Sequence, residues 1–284
     1  MILVTGATGN VGSKVAKQLG ERGVPFRAFV RDAAKASQVL GNDVEVVQGD
    51  FSDPDSIDRG LAGIDALFIS CPGVPERAEL EGNVIDAAVR AGVGKVVKAS
   101  AHGAEPGSPT AFLDSLGRSE QLLKESGLPH VLLRPTFYMT ELLQGADGLK
   151  QSGMLFIPAG DAKIAMIDPN DVASVAVAAL TEDGHEGKSY LLTGPESLSF
   201  GDVAQELSGV MGRQIEYVAV PDEGARGAMV EAGLDEWTAD NVVALFGVLR
   251  KGISAQTTDT VREVTGREPR SIADFFRDHS DVFG

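Results

Sequence analysis

The 284-residue sequence holds one cysteine, Cys71, so no disulfide can form within the chain. Its four histidines, His102, His130, His185 and His279, are scattered. None stands with another ligand at metal-binding spacing, which excludes a structural zinc site. Basic residues are in short supply: 25 Lys and Arg face 41 Asp and Glu, a net charge of −16. A surface that acidic repels phosphate backbones and anionic lipid, so neither nucleic acid nor membrane is an expected partner. Long apolar runs are missing too. The longest, residues 172–180, falls far short of the roughly 20 residues a membrane helix needs. The first residues show no basic segment leading into an apolar stretch, and a cytoplasmic protein is the expectation.

The residues that are present describe a sizeable core, 43% of the chain being apolar. The first two-thirds alternates short β-rich runs with helix-period stretches, as in βαβ units on a parallel sheet. Strands are expected at 2–4, 26–30, 44–47, 66–69, 95–99, 130–133 and 189–192. Val11, Val15 and Leu19 fall at i, i+4 and i+8 and lay one helix stripe on the sheet. Asp53-Pro54 and Asp168-Pro169 each read as a helix start, a carboxylate cap followed by proline in the first turn. From residue 199 the chain is mostly helical, with one short strand near 215–220. The fold class is therefore α/β: a Rossmann-type doubly wound parallel sheet over 1–198, with short substrate-side insertions after about 136, and a smaller, mostly helical C-terminal lobe over 199–284. A monomer or a homodimer is expected.

Between the first strand and first helix stands Thr5-Gly6-Ala7-Thr8-Gly9-Asn10-Val11-Gly12. Gly6 turns the chain, Gly9 lets backbone approach a pyrophosphate, and Gly12 lets the helix lie close to the strand. The helix N-terminus then offers N–H groups and a positive dipole end to the phosphates. The nucleotide is read at the tip of the second strand, Val30-Arg31-Asp32, with Lys35 one turn later. With Arg31 at the tip, its planar fork takes a 2′-phosphate, Lys35 adds charge, and the cofactor is NADP(H). The competing arrangement makes Asp32 the ribose ligand and the cofactor NAD(H).

With these residues the chain resembles the atypical short-chain dehydrogenase/reductase superfamily, and within it the NmrA-like branch that contains NADPH:quinone reductases. The resemblance rests on the glycine turn, Val30-Arg31-Asp32, Gly49-Asp50-Phe51, Leu133-Arg134-Pro135 and Ile167-Asp168-Pro169-Asn170-Asp171-Val172-Ala173. It implies that Asp50 and Phe51 flank the adenine and that Ser70-Cys71-Pro72 passes under the inner ribose. It further implies that Pro135, Thr136 and Phe137 border the nicotinamide.

Most members of that superfamily reduce carbonyls with a serine after the fifth strand and a Tyr-x-x-x-Lys on the next helix. The chemistry needs a proton donor of lowered pKa beside the carbonyl oxygen. Here Tyr138, Tyr190 and Tyr217 are the only tyrosines, and none has lysine four residues on. What remains at the mouth of the fifth strand is Ser100, a hydrogen-bond donor to a substrate oxygen, and His102, either a proton donor or a polar loop residue. Tyr138 reads as a pocket wall or a donor. Cys71 reads as packing under the cofactor, since no activating base stands near it in sequence. Hydride transfer is the cofactor's own chemistry, so an absent tyrosine points to acceptors whose product anion is delocalised. The expected function is NADPH-dependent reduction of a quinone or polycyclic aromatic ketone, a small aromatic carbonyl substrate. The resemblance extends this to a ketoreductase tailoring an aromatic polyketide in antibiotic biosynthesis. The alternative is a non-catalytic NADP(H)-binding redox sensor.

Overall fold

The computed structural model describes residues 1–284. The β/α alternation runs β1 (Ile2–Thr5), α1 (Gly12–Glu21), β2 (Phe26–Val30), α2 (Ala33–Leu40), β3 (Glu45–Gln48), α3 (Pro54–Leu61), β4 (Ala66–Ile69), α4 (Arg77–Ala91), β5 (Lys95–Ala99), α5 (Ala111–Glu125) and β6 (His130–Pro135). A 3₁₀ turn, Met139–Gly145, leads into α6 (Ala146–Ser152) and β7 (Met154–Ile157). Then come α7 (Pro169–Thr181), β8 (Ser189–Leu192), α8 (Phe200–Met211), β9 (Glu216–Ala219), α9 (Asp222–Glu231) and α10 (Glu236–Leu249). Three short helices close the chain: α11 (Thr260–Thr265), α12 (Ile272–Asp278) and α13 (Ser280–Phe283). No helix is long and apolar enough to cross a membrane.

The main sheet has seven strands in the order β3-β2-β1-β4-β5-β6-β8. The pairings from β3 through β6 are all parallel. Strand order reverses between β1 and β4, and in open α/β sheets the crevice outside the carboxyl ends at such a reversal is where ligands bind. Period-two alternation divides the strand residues between the two faces. Leu3, Leu67, Ile69, Val96 and Leu132 share one buried cluster with Ile57 and Leu61 of α3, Val84 and Ile85 of α4, and Leu123 of α5. Elsewhere in the same unit α1 is tied to α7: Gln18 Nε2 donates to the Asn170 carbonyl at 3.1 Å, and Ser174 Oγ lies 3.0 Å from Gln18 Oε1.

Local chemistry sets the helix starts. Asp53 caps α3 by accepting from the amides of Asp55 and Ser56, ahead of Pro54. Thr110 accepts from Leu113 N at 3.1 Å and starts α5 at Ala111. Helix α2 buries only Ala36 and is capped by Asp32, which accepts from Lys35 N.

The chain divides into two compact units, though not at residue 198. One is Met1–Arg134 with Pro169–Leu191 and Glu263–Gly266; the other is Pro135–Asp168 with Leu192–Arg262 and Arg267–Gly284. The segment expected as short insertions belongs to the second unit because its apolar residues fill that unit's core. Met139, Leu142, Leu155 and Met166 pack with Phe200, Leu207, Phe246 and Phe276. The strand expected near 215–220 is β9, and it pairs in parallel with β7, Phe156 opposite Val218.

Candidate active site

Thr5 ends β1 beside β4: its hydroxyl donates to the Phe68 carbonyl and accepts from Ser70 N, each at 3.0 Å. Gly6 has φ +60, and a Cβ there would meet the Ser70 carbonyl at 2.8 Å. Gly9 N donates back to the Gly6 carbonyl at 2.8 Å, closing the turn. At Gly12, the first residue of α1, a Cβ would stand 2.2 Å from Gly6 O and 3.1 Å from Thr5 O. That glycine lets helix, turn and strand meet. At Gly9 a Cβ would meet Gly6 O at 3.1 Å and no other atom within 4 Å, so the turn leaves open a cradle that a side chain would fill. No side chain caps α1 and no acid lies in its first turn. These features suit a pyrophosphate. Thr8 is half-buried and Asn10 exposed. Val11 is buried in the core, which leaves its backbone as the part able to face a ligand.

At the tip of β2, Arg31 and Lys35 are exposed, and neither side chain is in an ion pair. Asp32 is engaged locally, its Oδ1 accepting from Lys35 N at 3.0 Å as the cap of α2. Across the tip, Gln48 Nε2 donates to the Arg31 carbonyl at 3.0 Å. Asp50 Oδ1 accepts from the Ser52 hydroxyl at 2.6 Å and from Ser52 N at 2.9 Å. Those bonds, with Arg31 contributing, hold its carboxyl below the ordinary value. Phe51 stacks on Phe29 with ring centroids 5.9 Å apart and 28° between planes. One tip thus joins a cation, a carboxylate and a half-buried ring.

Ser70, Cys71 and Pro72 leave β4 next to Gly6. Arg77 fixes the segment by donating from Nε to the Pro72 carbonyl at 3.0 Å. Burial, reinforced by the Glu81 carboxylate, pushes the Cys71 thiol up to about 12. A thiol so placed stays protonated and packs; it is no nucleophile. Beneath lies a buried ion pair, Lys98 Nζ to Glu81 Oε2 at 2.6 Å, with the Ser119 hydroxyl on the same oxygen.

Ser100 is where the geometry departs furthest from expectation. Its hydroxyl donates to Glu120 Oε1 at 2.5 Å, and both residues are buried. The proton expected to reach a substrate oxygen is therefore committed to a carboxylate. Arg134 completes the cluster, Nε on Oε1 at 2.9 Å and Nη2 on Oε2. Burial opposes ionisation of Glu120, but Arg134 and Ser100 outweigh it and hold its pKa below the ordinary value. His102 is half-buried two residues beyond Ser100, just before the turn at Gly103, φ +82. Helix α5 carries no tyrosine, and Ser115, Ser119 and Glu120 are its buried polar residues.

Nothing in the motif spacing marks Glu120, Glu81 and Lys98, although one signal is present. Leu113, Leu116, Glu120 and Leu123 form one helical stripe, so a carboxylate stands where the apolar period calls for a core residue.

In the second unit, the Thr136 hydroxyl donates to the Ala165 and Leu192 carbonyls, so Thr136 has no hydroxyl proton to offer a nicotinamide. Phe137 packs edge-on to Phe200 at 6.1 Å and lies 5.9 Å from Phe246. Pro135 is buried and Tyr138 half-buried, the latter bridged to Ile167.

A parallel sheet reversing at β1 and β4, with a glycine turn leading into α1 at that point, defines a Rossmann-type dinucleotide fold. The NmrA-like family model matches residues 1–275, and the chain belongs to that family. It is 39% identical over 284 residues to the NAD(P)H azoreductase of Xenophilus azovorans, covering 100% of this chain and 99% of that one. It is 37% identical over 286 residues to a Streptomyces griseus enzyme, (4-alkanoyl-5-oxo-2,5-dihydrofuran-3-yl)methyl phosphate reductase, with the same coverage of 100% and 99%. Among solved structures it matches the NADPH-dependent quinone oxidoreductase of Escherichia coli complexed with NADPH, with a TM-score of 0.90 and 31% identity over 100% of both chains.

Proposed function

We propose that the protein is an NADPH-dependent reductase of conjugated acceptors: quinones, azo compounds and carbonyls in extended π systems. The observation that carries the reading is the open cradle at Gly9 beside an unpaired Arg31, in a chain whose α5 offers no tyrosine. When bound, NADPH supplies the hydride. The turn from Gly6 to Gly12 would hold the pyrophosphate against the N-terminus of α1. Arg31, with Lys35, would take the 2′-phosphate, Asp50 and Phe51 the adenine nucleoside, and the backbone of Ser70–Pro72 the inner ribose.

The missing proton relay narrows the acceptor. A quinone, an azo group and an acyl-substituted dihydrofuranone share one trait: charge arriving with hydride spreads over a conjugated system. Such acceptors can take their proton from water or from His102, and need no tyrosinate–lysine pair. A plain aliphatic ketone builds its charge on one oxygen and does need one. This reading is broader than a polycyclic aromatic ketone and supports no assignment to polyketide tailoring beyond the resemblance.

The test is steady-state NADPH oxidation with 1,4-naphthoquinone, the azo dye methyl red and cyclohexanone. Turnover of the first two and none of the third is expected. Tight NADPH binding with no turnover of any acceptor favours a redox sensor, and rapid cyclohexanone reduction contradicts the acceptor class.

A further inference from the structure

His102 lies midway between two residues that are tied to one buried carboxylate. Two positions before it, Ser100 donates to Glu120 directly. Two positions after it, the Ala104 carbonyl accepts from Arg134 Nη2 at 3.3 Å, and that guanidinium is gripped by Glu120 through both of its oxygens. We propose that Glu120 is a positioning residue for the reductase reaction: through Ser100 on one side and Arg134 on the other, it sets the path of residues 100–106 and so the place of His102. The inference rests on reading the carboxyl end of β5 as part of the reaction site.

The geometry makes Glu120 suited to this. It is 1% exposed, and both of its oxygens are engaged, by Ser100 and by Arg134, which offsets the cost of burying its charge. The forked contact with Arg134 fixes direction as well as charge, which a single ammonium contact does not. Lys124 Nζ, at 3.4 Å, adds charge from the exposed side of α5. A separate contact presses the same segment onto the same helix. At Gly117, one turn before Glu120, a Cβ would stand 2.2 Å from the carbonyl carbon of Glu105 and 2.5 Å from Pro106 N. Segment and helix are therefore in backbone contact there, and the Arg134 bridge holds the residues just upstream. Stability alone does not call for this arrangement, since apolar residues of similar volume commonly replace a buried ion pair without loss.

Glu120→Gln keeps the shape and removes the charge that holds Arg134. With NADPH and 1,4-naphthoquinone, kcat should fall about tenfold to a hundredfold, the scale on which ångström misplacement acts. KM and the NADPH Kd should stay within about twofold, because Glu120 is buried with both oxygens taken by Ser100 and Arg134. Amide hydrogen exchange should quicken at 101–106 and remain parental through 113–123. Arg134→Lys, which keeps the charge and loses the fork, should fall between parent and Glu120→Gln. Gly117→Ala leaves every charge in place and displaces Glu105, so it should move kcat and exchange in the same direction. Parental exchange at 101–106 in a folded Glu120→Gln protein overturns the proposal. So does parental kcat, or a loss shared by kcat, KM and the whole of α5, which marks a merely structural residue. A parent protein that binds NADPH and reduces no acceptor instead fails the reductase reading itself, and this proposal with it.

Discussion

Ser100 and Glu120 meet across 20 residues of sequence, hydroxyl to carboxylate at 2.5 Å, in a place the sequence alone assigns to catalysis. The strand that delivers Ser100 also delivers Lys98, two residues earlier and on the same face, to Glu81. Adjacent residues of α5 receive both: Ser119 shares Glu81 with Lys98, and Glu120 takes Ser100. Where other members of the superfamily turn this helix's chemistry toward a substrate, this chain turns it into the sheet.

Ser100→Ala is therefore expected to change stability more than chemistry. It deprives a buried carboxylate of one donor, at a cost of about 1–3 kcal/mol. Thermal unfolding should register that loss, while kcat falls less than about tenfold, far from the losses that follow removal of a catalytic donor. A drop of about a thousandfold in kcat with unchanged Tm would return Ser100 to the role of direct donor.

Arg31 and Asp32 separate the two cofactor readings. If Arg31 grips the 2′-phosphate, Arg31→Ala should cost about 1.5–3 kcal/mol, roughly a 10- to 150-fold weaker Kd for NADPH. NADH lacks that phosphate, and its affinity should hardly change. Asp32→Ala removes the α2 cap, worth about 0.5–2 kcal/mol of stability, and should leave the preference for NADPH intact. Titration of both cofactors against both variants decides the matter; an Arg31→Ala protein that still prefers NADPH refutes the assignment.

Gly9 and Gly12 sit three residues apart and should fail differently. Gly9→Val projects into the open cradle, so dinucleotide binding should be lost while circular dichroism and Tm stay near parental. Gly12→Ala sets a Cβ against backbone at 2.2 Å, which a packed interior cannot relieve without shifting α1. Its Tm should fall whether or not cofactor is present. Normal NADPH affinity in Gly9→Val would remove the pyrophosphate from this turn.

Most of the βα alternation was legible because strands such as β1 and β4 are short buried runs and helices such as α1 carry one apolar stripe, signals that need no distant partner. The second unit was not legible for the opposite reason. β7 pairs with β9 some 60 residues away, and Leu155 reaches its core only in company with Phe200 and Phe276. The glycine turn was readable from spacing, since close backbone packing at Gly6 and Gly12 is what the glycines allow. Arg31 and Asp32 are neighbours, and no composition rule says which faces a ligand; the fold adds that Asp32 Oδ1 is engaged by Lys35 N as the cap of α2. Glu120 and Glu81 interrupt apolar stripes, but their partners Arg134 and Lys98 come from β6 and β5 and meet them only in the folded sheet.

Two glutamates should report pH with opposite sign. Glu120 has a folded pKa below its unfolded value, so it stabilises the protein above the ordinary carboxylate range, and that stability is lost as pH falls through the folded value. Glu141, in the 3₁₀ turn, is raised by burial, and the Gln144 amide that donates to it at 2.6 Å does not offset that. Its folded form binds more protons than its unfolded form. Stability associated with Glu141 is therefore full below the unfolded value, about 4.3, and lost as pH rises through the folded one. At pH 7, Glu141→Gln should unfold at higher denaturant than the parent, because ionisation of a half-buried carboxyl no longer opposes folding. Glu120→Gln should unfold at lower denaturant at the same pH. Below about pH 4 the Glu141→Gln advantage should vanish, both side chains then being neutral, and the Glu120→Gln deficit should shrink as the parent's own carboxylate takes up its proton. Urea unfolding midpoints of the three proteins at pH 3.5, 5 and 7 test both signs at once. A Glu141→Gln protein less stable than the parent at pH 7 and equal to it at pH 3.5 would show that Glu141 is held charged in the fold, contrary to its burial.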